Sequence, residues 1–169
     1  MPTPPSSLIE VPPVSPLIRA ARRKDIAALV AMIAALAAHH GDASSIDEAR
    51  LERDAFCATP WIHFLVAEAD GEVVGFAALR PFYSAPQGVR AMELHNLFVV
   101  PSWRGRAIGR ALVEAALQHA RGRGCRSFSV GTATDNAAAR AFYCHLGFEA
   151  APAAGPRFRV AVEPVPQKA

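Results

Sequence analysis

Lysine is nearly absent from this chain: only Lys24 and Lys168 occur, so the 18 basic residues that face 15 acidic ones are almost all arginine. Cysteine is scarce too, with Cys57, Cys125 and Cys144 widely separated. An odd count without any Cys-x-x-Cys or Cys/His spacing argues against a disulfide framework and against a zinc site. The three read as reduced thiols, which makes the cytoplasm the expected compartment. Aromatic residues make up 8% of the chain, and none is interleaved with a Lys/Arg-rich run. That removes the usual platform for nucleic acid, and no nucleic-acid partner is expected. No apolar stretch approaches the ~18–20 residues that a membrane span requires, so no membrane partner is expected. The opening segment MPTPPSSLIEVPPVSP lacks a basic start leading into an apolar core. It reads as a Pro-rich flexible tail over 1–16 rather than a secretory signal.

What remains is an ordinary globular composition, 51% hydrophobic and 20% charged over 169 residues. That length suits one domain with a sizeable core, placed at 17–163, with a short tail over 164–169. Leu17 to Ala20 is a short strand candidate. Lys24 to His40 has apolar residues at Ile26, Leu29, Val30, Ile33, Leu36 and Ala37, a helical spacing stopped by Gly41. A second, more polar helix is expected over 46–57. In VAEADGEVVGFAAL two β-rich runs flank Asp70-Gly71, a strong hairpin signal, and Gly75 suggests a bulge or a close backbone approach. Strands are expected at 91–100, 125–132 and 156–164, and helices at 106–122 and 136–146. The order β-α-α-β-β-β-α-β-α-β indicates an α/β domain with a mixed sheet.

The passage VVPSWRGRAIGRALVEAA places two arginines and two glycines where a strand becomes a helix. The first turn of a helix presents unpaired N–H groups and the positive end of its dipole. Gly105 and Gly109 keep side chains away from that backbone, and Arg104, Arg106 and Arg110 add positive charge. Such a turn suits a pyrophosphate; it equally suits tight strand–helix packing with solubilising arginines. The chain has no Gly-Lys-Ser/Thr and no Gly-x-Gly-x-x-Gly with a following acidic residue, so nucleotide-binding loops of those types are excluded.

The run LHNLFVVPSWRGRAIGRALVEAALQHA, followed by TDNAAARAFYCHLGF, resembles the GNAT superfamily of acetyl-CoA-dependent N-acyltransferases. The family signature Arg/Gln-x-x-Gly-x-Gly/Ala falls on Arg104, Ala107 and Gly109, with alanine at 107 where glycine is usual. Alanine is tolerated there if its dihedrals are helical, although it crowds the nearest phosphate. The hairpin and the Asn-x-x-Ala…Phe-Tyr…Gly-Phe pattern also match, so the resemblance spans roughly 17–163. It implies the GNAT fold, a mixed and mostly antiparallel sheet splayed in the middle with helices on both faces. It also implies acetyl-CoA as cosubstrate, its pyrophosphate held by Arg104, Gly105, Arg106, Ala107, Ile108, Gly109 and Arg110. The pantetheine arm would pair with the backbone at Leu97, Phe98 and Val99, with Asn136 as a further contact or simply as a helix cap.

Transfer would proceed by direct attack of an amine on the thioester. An amine of pKa ~10 is largely protonated at neutral pH, so a general base is needed. Strand alternation places Glu93, His95, Leu97 and Val99 on one face and Met92, Leu94, Asn96 and Phe98 on the other. Glu93 and His95 would then be neighbours, the carboxylate raising the imidazole towards working pH; they could also be two polar groups on a solvated strand face. Many relatives use a glutamate at a position that is Gly131 here. In a polyamine-acetylating branch of the family the glutamate position falls on His95, so His95 is the first candidate base and Glu93 the second. Tyr143 matches the family's general acid.

No metal is expected, because His39, His40, His63, His119 and His145 have no ligand spacing and read as structural or surface residues. The acceptor is expected to be a small-molecule or peptide amine, met by Phe82, Tyr83 and nearby carboxylates. Arg80 and Arg90 equally permit an acceptor that carries a carboxylate. A homodimer through the C-terminal strands is the assembly the resemblance implies. A non-catalytic acyl-CoA-binding module and a basic nucleic-acid-binding α/β domain are the alternatives.

Overall fold

The structure is a computed structural model that describes residues 16–151, 156 and 158–162. The chain divides into two compact units, Met1–Gly131 and Thr132–Ala169. In the first, β1 (Leu17–Ala20) leads through a 3-10 turn (Arg23–Asp25) into α1 (Ile26–His39) and α2 (Glu48–Ala55). Then come β2 (His63–Ala69), β3 (Glu72–Ser84) and β4 (Val89–Val99), a 3-10 turn (Pro101–Trp103), α3 (Ile108–Gly122) and β5 (Ser127–Val130). The second unit contributes α4 (Ala137–His145).

The five strands form one sheet in chain order. The first three pairings are antiparallel and the β4–β5 pairing is parallel, so the sheet is mixed as expected. Asp70 and Gly71 turn the β2–β3 hairpin with φ of 51° and 80°, the two positive values a tight primed turn requires. Gly75 is a close approach: a Cβ there would lie 2.8 Å from the Phe98 carbonyl oxygen and 3.4 Å from Leu112 Cδ1. A register shift between Ala67 and Glu68 places a bulge beside it.

Helices cover both faces. Ile26, Leu29, Met32 and Leu36 of α1, with Leu51 of α2, pack on Phe64, Val66, Phe76, Ala78 and Phe98. The opposite face, carrying Ala77 and Leu79, receives α3, whose Ile108, Leu112, Val113, Ala116 and Ala120 are buried. β1, the first 3-10 turn and β2 are tied by one guanidinium. Arg19 bonds both oxygens of Asp25 at 2.6 and 2.9 Å and reaches Glu68 at 2.5 Å. Asp25 is only 3% exposed, and the Arg19 hydrogen bond outweighs burial to hold its carboxyl below the ordinary carboxylate range.

Two expectations need correction at element level. The second helix is shorter than expected and is capped by Asp47, whose side chain accepts from Arg50 N. The expected strand over 156–164 is not formed by residues 156 and 158–162, and residues 157, 163 and 164 lie outside the described residues. Phe158, Val160 and Val162 do alternate, but they are 94%, 81% and 84% exposed, so that period has no buried face to serve. The tail expectation over 1–16 likewise falls almost wholly outside the described residues. Among the described residues, no helix is long and apolar enough to cross a membrane.

Candidate active site

β4 is a strand of two halves, divided at His95. Leu94 pairs with Leu79 while Asn96 pairs with Ala78, so His95 is an extra residue in the ladder, a bulge. On the other side, β5 pairs with Ala91, Met92, Glu93 and Leu94 and goes no further. Beyond the bulge the β5-facing edge of β4 has no strand partner among the described residues. This is the splay the sequence implies, and the bulge is where it begins.

The bulge overturns the simple alternation. Glu93 pairs with Arg80, Asn96 with Ala78 and Phe98 with Phe76, three β3 residues that share one face. Leu97 and Val99 pair with Ala77 and Gly75 and turn to the α3 face. Glu93 therefore shares its face with Asn96 and the 7%-exposed Phe98, not with Leu97 and Val99. One added residue exchanges the faces downstream of it.

The Glu93–His95 pairing itself holds. His95 Nδ1 lies 3.5 Å from Glu93 Oε1, and Arg80 Nη2 donates to Glu93 Oε2 at 2.6 Å. Burial acts to raise the Glu93 carboxyl, but Arg80 and His95 together hold it below the ordinary carboxylate range. Glu93 is thus an ionised bridge between a guanidinium and an imidazole. It is a weak base, and it is well placed to orient His95 through Nδ1 while Nε2 points elsewhere. The sequence left Arg80 open to a substrate carboxylate; its cross-strand pairing with Glu93 becomes visible only once the hairpin register is known.

The turn between β4 and α3 is open. Arg104, Gly105, Arg106 and Ala107 are exposed, and the start of α3 has no side-chain cap. Ala111 N is the first amide to bond back, to the Ala107 carbonyl, which leaves the amides of Ile108, Gly109 and Arg110 ahead of the helical ladder. A Cβ on Gly105, at φ 75°, would meet nothing within 4 Å. Two of the arginines have definite anchors. Arg104 Nε donates to the Val99 carbonyl at 3.0 Å and its guanidinium lies 5.8 Å from the Phe98 ring centre. Arg106 stacks over Trp103 at 4.7 Å. Arg104 therefore ties the end of β4 to the turn. It also takes up the Val99 carbonyl, leaving the edge at Leu97 and Phe98 as the stretch available to a ligand backbone.

Ala107 does not have helical dihedrals. At φ 59° and ψ 8° it is left-handed, which corrects the condition under which alanine was expected to be harmless. An L-residue in that region costs ~1–2 kcal/mol, which the turn holds because Gly105 and Ala107 must reverse the chain before α3 begins.

In the second unit, Asn136 caps α4, its Oδ1 accepting from Ala139 N at 2.9 Å. Tyr143 packs edge-on between Phe142 and Phe148, with ring centres 5.1 and 5.5 Å away, and burial pushes its phenol up to about 12. Arg90, expected beside Arg80 in substrate recognition, is on the opposite face: it pairs with Tyr83 and falls in the Pro81 and Met92 row. Among the described residues, no three His, Cys, Asp or Glu side chains are grouped to hold a metal.

Comparison with known proteins fits this geometry. The profile of the Acetyltransferase (GNAT) family matches residues 26–148. The chain is 33% identical over 143 residues to thialysine N-epsilon-acetyltransferase of Sus scrofa, covering 79% of this chain and 84% of that protein. It is 34% identical over 128 residues to mycothiol acetyltransferase of Streptomyces coelicolor, covering 74% of this chain and 40% of that protein. With an uncharacterized N-acetyltransferase of Methanocaldococcus jannaschii the identity is 39% over 87 residues, 51% of this chain and 38% of that protein. The chain thus spans about two fifths of the length of the last two relatives. In fold it superposes on an aminoglycoside N-acetyltransferase solved in complex with CoA, with a TM-score of 0.72 and 20% identity over 86% of this chain and 95% of that one. By sequence profile and by fold, the chain belongs to the acetyltransferase (GNAT) family.

Proposed function

We propose that this chain is an N-acetyltransferase that moves an acetyl group from acetyl-CoA to a primary amine of a small molecule or peptide, by direct attack in a ternary complex. The observation that carries this reading is the end of β4–β5 pairing at the bulge, which opens a backbone edge beside the Arg80–Glu93–His95 row. The residues present fit the cosubstrate: the uncapped start of α3 offers amide donors, Gly105 leaves space before it, and Arg106 and Arg110 add charge. Acetyl-CoA supplies the thioester carbonyl and a thiolate leaving group. The edge at Leu97 and Phe98 aligns the pantetheine arm, and an amide there can polarise the carbonyl. His95, oriented by Glu93, takes a proton from the attacking amine.

Tyr143 is the donor to the departing sulfur. A phenol held near 12 stays protonated across the working range. Full transfer to a thiolate of pKa ~8.5 would run uphill, so Tyr143 acts by hydrogen-bonding the developing charge. Tyr143→Phe is expected to lower kcat by ~10²-fold with coenzyme A affinity nearly intact; unchanged kcat removes the role. Relatives that acetylate thialysine and aminoglycosides support a small cationic amine as acceptor. We also propose action in the cytoplasm, which free Cys57, Cys125 and Cys144 suit, and assembly as a homodimer.

The deciding experiment titrates the protein with acetyl-CoA calorimetrically and then screens amines by release of free thiol. Saturable binding with turnover on at least one amine establishes the enzyme. Binding without turnover on any amine identifies a non-catalytic acyl-CoA binder, and no binding at all rejects the cradle.

A further inference from the structure

The face of the sheet away from Glu93 carries a second concave feature. Past Leu79 the β3–β4 arm has no β2 partner, and the register puts Pro81, Tyr83, Arg90 and Met92 on its α3 side. Together with Phe82 and Ala91 beside them, and Arg123 and Cys125 from the turn after α3, they line a cleft of about 490 Å³. That volume lies within the range of small-molecule sites, and apolar walls with a few convergent polar groups are their usual make-up.

The charge of this cleft is one-sided. Arg90 Nη1 donates to the Arg123 carbonyl at 3.2 Å, and Arg123 Nε donates to His119 Nε2 at 2.9 Å. His119 in turn lies against His63, with ring centres 5.5 Å apart. Two guanidiniums and two imidazoles therefore sit in one row. Among the described residues none of the four has a carboxylate in an ion pair. The Arg123 Nη groups are likewise not engaged by any hydrogen bond among the described residues. The C-terminal dipole of α3 offsets part of this charge, but by less than one charge-assisted hydrogen bond contributes.

We propose that this cleft binds a small planar carboxylate, its charge held by the Arg90 and Arg123 guanidiniums and its flat body packed on Tyr83 and Pro81. Guanidinium forks match a carboxylate edge in geometry as well as charge, and the wall chemistry suits an aromatic or similarly flat ring. The site is separate from the acetyl-transfer centre. It lies at the C-terminal end of α3, roughly 20 Å from the turn that begins the helix. Its two guanidiniums also come from Arg90, which the register turns away from Arg80 and Glu93, and from Arg123 after α3. Occupancy therefore does not depend on the acetyltransferase reading.

The test uses the full chain and 4-fluorobenzoate followed by fluorine NMR, with 4-fluorobenzyl alcohol as the neutral counterpart. The acid is expected to saturate at roughly millimolar concentration or below, and at least ~10-fold more tightly than the alcohol. Arg90→Gln and Arg123→Gln should each weaken it by ~5-fold or more, and saturating coenzyme A should leave it unchanged. Arg123→Gln also loses the His119 contact, so Tyr83→Ala, at an exposed position, serves as a variant that spares the turn; a loss of ~3-fold is expected. In the wild-type protein the Ala91 and Cys125 amide resonances should move with the titration. Equal binding of acid and alcohol, competition by coenzyme A, insensitivity to the Arg90 and Arg123 variants, or no saturation by about 10 mM would each overturn the proposal.

Discussion

The two halves of β4 make opposite use of the same strand. Before His95, the strand is paired on both edges, and Ala91, Met92 and Leu94 are 1%, 0% and 1% exposed. After it, one edge has no strand partner among the described residues, and Asn96 and Leu97 are half-buried. A fully laddered strand has no backbone donor left for a ligand, and a wholly free one would have no fixed position. A single inserted residue gives both: the first half anchors, and the second presents an aligned edge. The proposed catalytic geometry depends on a defect in pairing rather than on a loop.

The sharpest way to break the comparison is to substitute neighbouring residues from the two halves. His95→Gln should lower kcat by ~10²–10⁴-fold while the melting temperature barely moves, because His95 is exposed and forms no part of the core. Leu94→Ala, one residue earlier, should cost ~2–5 kcal/mol of stability by urea unfolding, with kcat of the folded fraction largely kept. If both variants fail in the same assay, the division at the bulge is wrong. The turn that follows the free half carries a smaller, opposite effect. Ala107→Gly should relieve left-handed strain and, after the added freedom of glycine in the unfolded chain, raise stability by ~0.5–1 kcal/mol. It should also tighten coenzyme A binding by removing a methyl group from the cradle.

The smallest effect concerns pH and the anchoring end of the sheet. Burial, followed by Arg123, holds His63 and His119 below the ordinary value of 6.5. The unfolded chain therefore takes up these protons first. Stability is fully present above about 6.5 and falls as pH drops through the depressed folded values. Thermal melts should show a drop between pH 7 and pH 5 that shrinks in His119→Gln. A drop of equal size in the variant would assign the pH dependence to other groups.

Much of this was legible from local signals. Asp70-Gly71 between β-rich runs specifies a hairpin because few residue pairs accept two positive φ values. The helical period at 26–37 and the strand–helix turn with its arginines and glycines were equally plain, since each lies within one turn or one element. The Asn136 cap lay at the start of one helix, whereas the role of Tyr143 rests on the family resemblance. The failures have a common form. The face reversal after His95, the Arg80–Glu93 pair and the face on which Arg90 lies all depend on how β3 and β4 are registered.

What the sequence alone determined, then, is the order of elements from β1 to α4, because period, turn propensity and helix-end signals act over a few residues. Tertiary structure decided the rest. Where the ladder takes its extra residue, that Ala107 must be left-handed, and that His63 meets His119 and Arg123 are outcomes of packing between segments distant in the chain. Each is a balance of burial, pairing and strain that no short stretch of sequence contains.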